Sequence, residues 1–588
     1  MSDTEQKRGA LSELRRLLPY VRRYPKLVTW GLVFVTISNV CSTTIPFVIG
    51  KTIDTLRISA YASGDIAWLI TQILLLTIGS GLGMFATRRT IIVMSRFIEE
   101  DLRNDFVVAL KDQSQRFFHV RSTGSLLAHF SNDINAVRDF IGPAIMYSAN
   151  TITMFALALS WMMRINIPLT FAILIPVPLV ATLTYRLGRR IHENYRITQE
   201  QYEHITTHAQ ETASGIRVVR AYERGDYEAE RFDELSIEYY RKNMRLARTQ
   251  SLMMPGMAVL FNLSYIIVIG LGGYNVMHGS MSVGDLTQFF IYLNQLLWPI
   301  AAIGWVTSMI QRGSASMGRL GAIIEAPCEI VDSATVSSED IRGDVELDNV
   351  SLSYDGEHFV LKDVSVSVTA GGSLGIVGTV GSGKTSLIGL LPRLYDATSG
   401  TVKIDGINVR SMSIVTLRGS IAVVPQESFL FSDTIRENIR FGRPTASDED
   451  VLHAAQLAQL DSEVSGLPHG FSTVVGERGV TLSGGQKQRT ALARAIVSDP
   501  SILVLDDSLS AIDADTESRI LNSLDEVMKG RTTILISHRI STVKRCDAII
   551  VLQNGRIIER GTHEELIGLG SVYADMYERQ QLEQQLTA

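Results

Sequence analysis

Gly378-Thr379-Val380-Gly381-Ser382-Gly383-Lys384-Thr385 is the stretch on which the reading of this chain turns. It follows the apolar run Leu374-Gly375-Ile376-Val377 and precedes the helix-forming Ser386-Leu387-Ile388-Gly389-Leu390-Leu391. A glycine-rich loop between strand and helix, closed by Lys-Thr, is a P-loop in the setting its chemistry requires. Glycines let backbone N–H groups curl around phosphate oxygens. Lys384 sets a positive charge against the β- and γ-phosphates of ATP, and Thr385 offers a hydroxyl to Mg²⁺. The helix that begins there adds the partial positive charge of its N-terminus. Gly378 through Ser386 are therefore the expected phosphate-binding residues.

Further along, Ser501-Ile502-Leu503-Val504-Leu505-Asp506 reads as a buried strand ending in a carboxylate. Paired with a P-loop, this is a Walker B strand, with Asp506 placed to hold Mg²⁺ through water. The surrounding sequence supports the pairing. Val345-Glu346-Leu347-Asp348-Asn349-Val350-Ser351-Leu352-Ser353-Tyr354 alternates like a strand. Short β-branched runs then alternate with helical stretches, the pattern of an α/β domain over 341–588.

The N-terminal half has a different character. Six uncharged stretches are long enough to cross a hydrocarbon core of roughly 30 Å: Leu27–Gly50, Ala67–Thr87, Phe140–Met163, Ile165–Tyr185, Ser251–Met277 and Leu286–Gln311. Spans three and four are separated by a tight turn around Arg164. By contrast, Arg88–Asp139 and Arg186–Gln250 are long, charged and free of proline. Arg88, Arg89 and Arg96 open the first, and Arg186, Arg189 and Arg190 the second. The positive-inside rule puts both segments, and with an even number of spans both termini, in the cytosol. Each reads as a pair of membrane helices prolonged into the cytosol, turning at tips near Arg116–Val120 and Ser214–Val219. Before the first span, Leu11, Leu14, Leu18 and Val21 share one helical face flanked by arginines. This predicts a short elbow helix on the membrane surface within 1–25. The membrane domain is expected over 26–312, with a linker over 313–340 containing Pro327 and serines.

Composition fits a chain that is part membrane and part cytosol. Of 588 residues, 46% are hydrophobic and 20% are charged. The net charge of −6 gives no sign of nucleic-acid binding. Cys41, Cys328 and Cys546 are scattered, without metal-site spacing or a disulfide framework. The polar N-terminus and the length of the first apolar stretch argue against a secretory signal.

Between the P-loop and the Walker B strand stands Leu482-Ser483-Gly484-Gly485-Gln486. With these three motifs in order, the sequence resembles the ATP-binding cassette (ABC) superfamily, whose signature is LSGGQ. The six-span layout with long cytosolic helices resembles ABC exporters of the multidrug-resistance type, and the likeness covers essentially the whole chain. It implies a six-helix transmembrane domain plus an α/β P-loop cassette. It also implies that Tyr354 stacks on adenine, as an aromatic face suits. Gln426 is similar to the Q-loop glutamine that senses Mg²⁺ and contacts the membrane domain. Gly476-Glu477-Arg478-Gly479 resembles the exporter X-loop, Ser510-Ala511-Ile512-Asp513 the D-loop, and His538 the switch histidine at the γ-phosphate. In this family two cassettes close head to tail, so Ser483, Gly484, Gly485 and Gln486 would cap ATP held by a partner chain.

One position departs from the family. Active cassettes usually carry glutamate directly after the Walker B aspartate, to polarise the attacking water; here it is Asp507. A displacement of about 1 Å at a catalytic group can cost roughly a hundredfold in rate. The site on this P-loop is therefore expected to bind ATP and hydrolyse it weakly. With an intact signature, the pattern implies one half of a heterodimer whose partner carries the Walker B glutamate. A homodimer tolerant of aspartate is the alternative. The expected function is ATP-driven export or flipping of amphipathic or hydrophobic molecules, such as drugs, lipids or peptides, across the plasma membrane. A homodimeric lipid flippase and an ATP-gated channel or regulator are the competing readings. The spans carry almost no charge: Asp285 sits at a rim, and Asn150, Asn262, Asn294 and Gln295 are only polar. Intramembrane charges mark ion pathways, whereas such polar residues fit interhelical hydrogen bonds.

Overall fold

The computed structural model describes residues 13, 15–57, 63–332, 340–476, 479, 481–508 and 514–587. Leu11, Leu14, Glu477, Arg478 and the Ser510–Asp513 stretch lie outside them. The chain divides into two compact units, one of 1–108 with 126–325 and one of 109–125 with 326–588.

The first unit is helical. An apolar run in lipid must satisfy its own backbone, which a helix does within one segment. Among the described residues, four helical segments are long and apolar enough to cross a membrane: Pro25–Arg57, Asp65–Lys111, Thr123–Ile165 and Gly225–Met277. The expected fourth span is broken. A helix over Ile167–Leu174 stops before Pro176, where a second helix, Pro176–Ser214, begins. Proline lacks the N–H that would continue the ladder, so the hydrogen bonding lapses at Ile175, whose backbone itself stays helical at φ −56° and ψ −41°. The turn between spans three and four also lies slightly later than expected. The helix runs through Arg164 to Ile165, and Asn166 caps the next one by accepting the Leu169 N–H at 2.9 Å.

The last helix, Val283–Ile324, starts with Ser282 and Asp285 in a reciprocal capping box. It continues unbroken through the first part of the expected linker. Small residues allow this: a Cβ on Gly313 would lie 2.5 Å from Phe140, and Ser316 donates to Asp133 at 2.8 Å. Polar ties join the spans, as expected of polar side chains in lipid. The Asn39 amide donates to Thr153 Oγ1 at 2.5 Å, the Tyr292 hydroxyl to the Thr43 carbonyl at 2.9 Å, and Gln295 to the Ser42 carbonyl at 3.2 Å. At the N-terminal end of the unit, a short helix spans Leu18–Arg23. Leu18 is exposed, while Leu17 and Tyr20 pack inward.

The second unit is α/β. Its described strands are β1 (Val345–Ser353), β2 (Phe359–Val368), β3 (Ser373–Gly378), β4 (Ser399–Ile404), β5 (Ile407–Asn408), β6 (Ile421–Val424), β7 (Ile502–Asp506), β8 (Thr532–Ile536), β9 (Ala548–Gln553) and β10 (Arg556–Gly561). An antiparallel sheet has the order β2-β1-β4-β5, and a larger one β10-β9-β3-β8-β7-β6. In the larger sheet β6, β7, β8, β3 and β9 run parallel, and β10 closes the edge antiparallel to β9. β3, β7 and β8 are buried along their whole length, which explains why they read as continuous apolar runs. The register pairs Ile376 of β3 with Ile536 of β8, and Ile536 with Asp506 of β7. The carboxyl ends of three strands therefore meet at one edge, where ligands of open α/β sheets bind. The first of the two expected tips belongs to this unit. A helix over Gln115–Val120 follows Ser114, whose hydroxyl donates to Glu329 at 2.8 Å.

Candidate functional site

The loop after β3 holds the glycines where side chains would not fit. Gly381 and Gly383 have φ of +79° and +100°. A Cβ on Gly378 would sit 2.2 Å from the Leu552 carbonyl oxygen, and one on Gly383 2.9 Å from Leu361. The loop therefore lies directly on β9 and β2, and only glycine permits both the turn and the approach. Gly383 then caps the Lys384–Gly389 helix. Lys384 is buried and folds back over the loop, donating to the carbonyls of Gly378 at 2.8 Å and Thr379 at 3.0 Å. Burial lowers its pKa, against the pull of Asp506 and Asp507, which raise it. The Ser382 hydroxyl is buried without a hydrogen-bond partner. A buried polar atom in that state calls for an explanation, and a phosphate oxygen supplies one. Val380 is almost fully exposed on the outside of the loop.

Thr385 and Asp506, 121 residues apart, meet through a hydrogen bond of 2.8 Å from the Thr385 hydroxyl to the carboxylate. Burial raises the Asp506 pKa, and the Thr385 hydroxyl lowers it. One hydroxyl and one carboxylate suit Mg²⁺, which keeps most of its waters and takes the rest of its shell from substrate phosphate. The residues present thus fit both ATP and its metal. Gln426, expected beside them, lies exposed just beyond β6.

Asp507 is buried and has φ of +44°. Aspartate tolerates this left-handed geometry better than most side chains. Its N–H donates to the Ile536 carbonyl at 2.9 Å, and its carboxylate accepts the backbone N–H of His538 at 3.4 Å. The site thus joins Asp507 to the histidine loop directly. Sequence reasoning missed three neighbours. Tyr395 packs edge-on against Tyr354 at 5.0 Å between ring centroids, while the Tyr354 hydroxyl donates to Ser386 at 2.9 Å. Burial pushes the Tyr395 hydroxyl up to about 12. His119, in the Gln115–Val120 helix, lies 6.3 Å from the Tyr395 ring. The Ser508 hydroxyl, just beyond Asp507, is buried without a partner. No motif flags Tyr395 or His119, because each acquires its place only through packing, and only the fold shows that the Ser508 hydroxyl is buried.

The signature lies in a separate setting. Ser483 caps the Gly484–Val497 helix by accepting the Gln486 N–H at 3.2 Å, and Gln486 accepts the Ser483 N–H at 2.9 Å. Ser483 and Gly484 are exposed, so the helix N-terminus faces outward from its own cassette. Gln486 and Arg489 both reach Glu463, at 3.1 and 2.7 Å, and fix the start of the helix. Ser483→Ala should cost this helix about 1 kcal/mol, the usual worth of a serine cap. Faster amide exchange at Gln486 in the full-length protein is the expected result.

The model of the ABC transporter transmembrane region matches residues 28–300, and the ABC transporter model matches 361–510. A probable multidrug resistance ABC transporter ATP-binding/permease protein of Bacillus subtilis, YheI, is 35% identical over 97% of this chain and 98% of its own length. The multidrug resistance-like ATP-binding protein MdlA of Escherichia coli is 34% identical over 92% of this chain and 91% of its own. The structure of a bacterial Atm1-family ABC exporter with ATP bound superposes with a TM-score of 0.78 at 28% identity, over 95% of this chain and 98% of that one.

Proposed function

Because the chain belongs to the ABC transporter family, as an exporter half-transporter joining a transmembrane region to an ATP-binding domain, we propose that it is the weakly hydrolysing half of an asymmetric heterodimer. The family membership carries the coarser statement: this is a multi-pass membrane protein that couples ATP hydrolysis to export. The finer reading rests on Asp507. Its carboxylate is a methylene shorter than glutamate and is already engaged with the His538 N–H. Held there, it is poorly placed to polarise a water at the γ-phosphate.

In this reading Tyr354 stacks on adenine, and Gly378 through Ser386 hold the phosphates. Thr385 and Asp506, with Gln426, hold Mg²⁺, which neutralises phosphate charge. His538 faces the γ-phosphate. Ser483, Gly484, Gly485 and Gln486 serve ATP bound by the partner, which carries the Walker B glutamate. ATP binding by both cassettes favours an outward-facing state, and hydrolysis at the partner's P-loop resets it, a population shift driven by differential affinity. The tips near Phe117 and Val218 carry closure to the membrane helices. The substrate is amphipathic or hydrophobic, in keeping with uncharged spans and with the multidrug-resistance names of the relatives. The membrane is the plasma membrane, with both termini and the cassette in the cytosol. A homodimeric flippase is the second reading, favoured by the complete P-loop and the Thr385–Asp506 pair.

The test is a tagged pull-down from native membranes with intact-mass stoichiometry. A one-to-one partner with its own cassette and a Walker B glutamate is the expected result. Recovery of this chain paired only with itself sinks the heterodimer.

A further inference from the structure

The histidine loop after β8 has its N–H groups held one by one. Ser537 N–H donates to the Ile376 carbonyl at 3.4 Å, and His538 N–H to Asp507 at 3.4 Å. Arg539 N–H turns back to the Ser537 hydroxyl at 3.0 Å. The remaining pair of backbone groups is met from far along the chain. The Gln580 amide donates to the His538 carbonyl at 2.5 Å and accepts the Ile540 N–H at 2.8 Å. One side-chain amide, 42 residues beyond His538, thus bridges the peptide groups on either side of Arg539.

Gln580 is itself placed by a built anchor. It lies on the C-terminal helix, Val572–Thr587. Both carboxylate oxygens of Glu559, on β10, accept the first N–H groups of that helix, from Val572 at 2.7 Å and Tyr573 at 3.0 Å. Tyr573 is fully buried, with its hydroxyl 2.8 Å from His563 Nδ1. Ile540, whose N–H Gln580 receives, is also fully buried and begins a helix of only four residues. So short a helix has few bonds of its own, from the Thr542 N–H to the Arg539 carbonyl at 3.2 Å and from the Lys544 N–H to the Ile540 carbonyl at 3.0 Å. The two backbone groups of His538 itself are held from outside the loop, the N–H by Asp507 and the carbonyl by Gln580.

We propose that Gln580 is a positioning residue of the nucleotide site, setting the reach of His538 through the His538 and Ile540 backbone. The proposal rests on the reading of His538 as the γ-phosphate contact. Gln580 touches no nucleotide. By holding the peptide that carries the imidazole, it makes the C-terminal helix part of how this site tells ATP from ADP. That distinction depends on the third phosphate, so a shift of any side chain that contacts the γ-phosphate changes it.

The test uses the full-length assembly and a readout resolved by chain and independent of hydrolysis. Photolabelling of this chain with 8-azido-ATP in the cold is competed with unlabelled ATP or ADP. Gln580→Ala should lower the preference for ATP over ADP by about three- to tenfold, the worth of one hydrogen bond, with ADP affinity unchanged. In a His538→Ala background the same substitution should change nothing further, since contacting groups in one chain of action do not add. Gln580→Glu keeps the helix packing and the acceptor for Ile540 but has no donor for the His538 carbonyl, and should show the same loss. Equal falls in ATP and ADP affinity, additive effects in the double variant, or a wild-type preference in Gln580→Glu would each overturn the proposal. An ATP preference unmoved by His538→Ala would overturn the reading of His538, and this proposal with it.

Discussion

Asp507→Glu should raise hydrolysis at this chain's own site by about ten- to a hundredfold, the range set by moving a catalytic group by about 1 Å. Two features of the structure bear on the size of the effect. The added methylene lengthens the reach of a carboxylate that now accepts the His538 N–H at 3.4 Å. Against this, the backbone at position 507 has φ of +44°. Glutamate is less at ease in left-handed geometry than aspartate, at about 1 kcal/mol per residue. The variant should therefore be faster and slightly less stable. Vanadate trapping of labelled nucleotide on this chain measures the first effect, and thermal unfolding without nucleotide the second. An unchanged trapping rate would show that carboxylate reach does not limit this site. The weak-site reading would then fail, while the family assignment would stand.

Lys384→Ala has the opposite consequence. In the proposed function the ammonium contacts the phosphates of ATP, and each hydrogen bond from a charged donor is worth about 1.5–3 kcal/mol. Loss of one such contact lowers ATP affinity by about a hundredfold at the upper end of that range. Photolabelling of this chain should fall accordingly. Stability without nucleotide should change little. The substitution strands the Gly378 and Thr379 carbonyls, which Lys384 satisfies at 2.8 and 3.0 Å. It also removes the cost of a buried ammonium, and the two terms oppose one another. The labelling pattern separates the assemblies as well. In a heterodimer the partner's P-loop stays labelled, whereas in a homodimer all labelling is lost.

The two predictions differ in how much of their basis the sequence alone contains. Lys384 is legible because a P-loop is local: glycine spacing, lysine and helix start all lie within one strand–loop–helix. The structure adds the reasons, namely the Gly378 approach to Leu552 and the orphaned Ser382 hydroxyl. Asp507 is legible as a departure from a motif, but its engagement with His538 is not. That contact requires β7 and β8 to lie side by side in one register, which pairs Asp506 with Ile536.

The membrane domain shows the same division. Uncharged runs place helices, because lipid leaves the backbone no other partner. Where the helices break was legible only in part. Pro176 is in the sequence, yet the expected fourth span ran through it, since proline is tolerated in some membrane helices and not in others. Small residues at Gly313 to Gly318 read as a change of character, whereas packing against Phe140 and Asp133 carries the helix on to Ile324.

By itself, then, the sequence determined what depends on neighbours within a few residues. These are the phosphate loop, the Walker B strand, the signature, and the apolar segments. Only the tertiary structure decided what depends on residues far apart in the chain: Tyr395 on Tyr354, Thr385 on Asp506, Asp507 on His538, and Gln580 across the histidine loop. The physical reason is range. Backbone geometry and hydropathy act locally and leave a pattern in the order of residues. A hydrogen bond between groups 42 or 121 positions apart leaves none, because sheet register and helix packing alone bring its ends within reach.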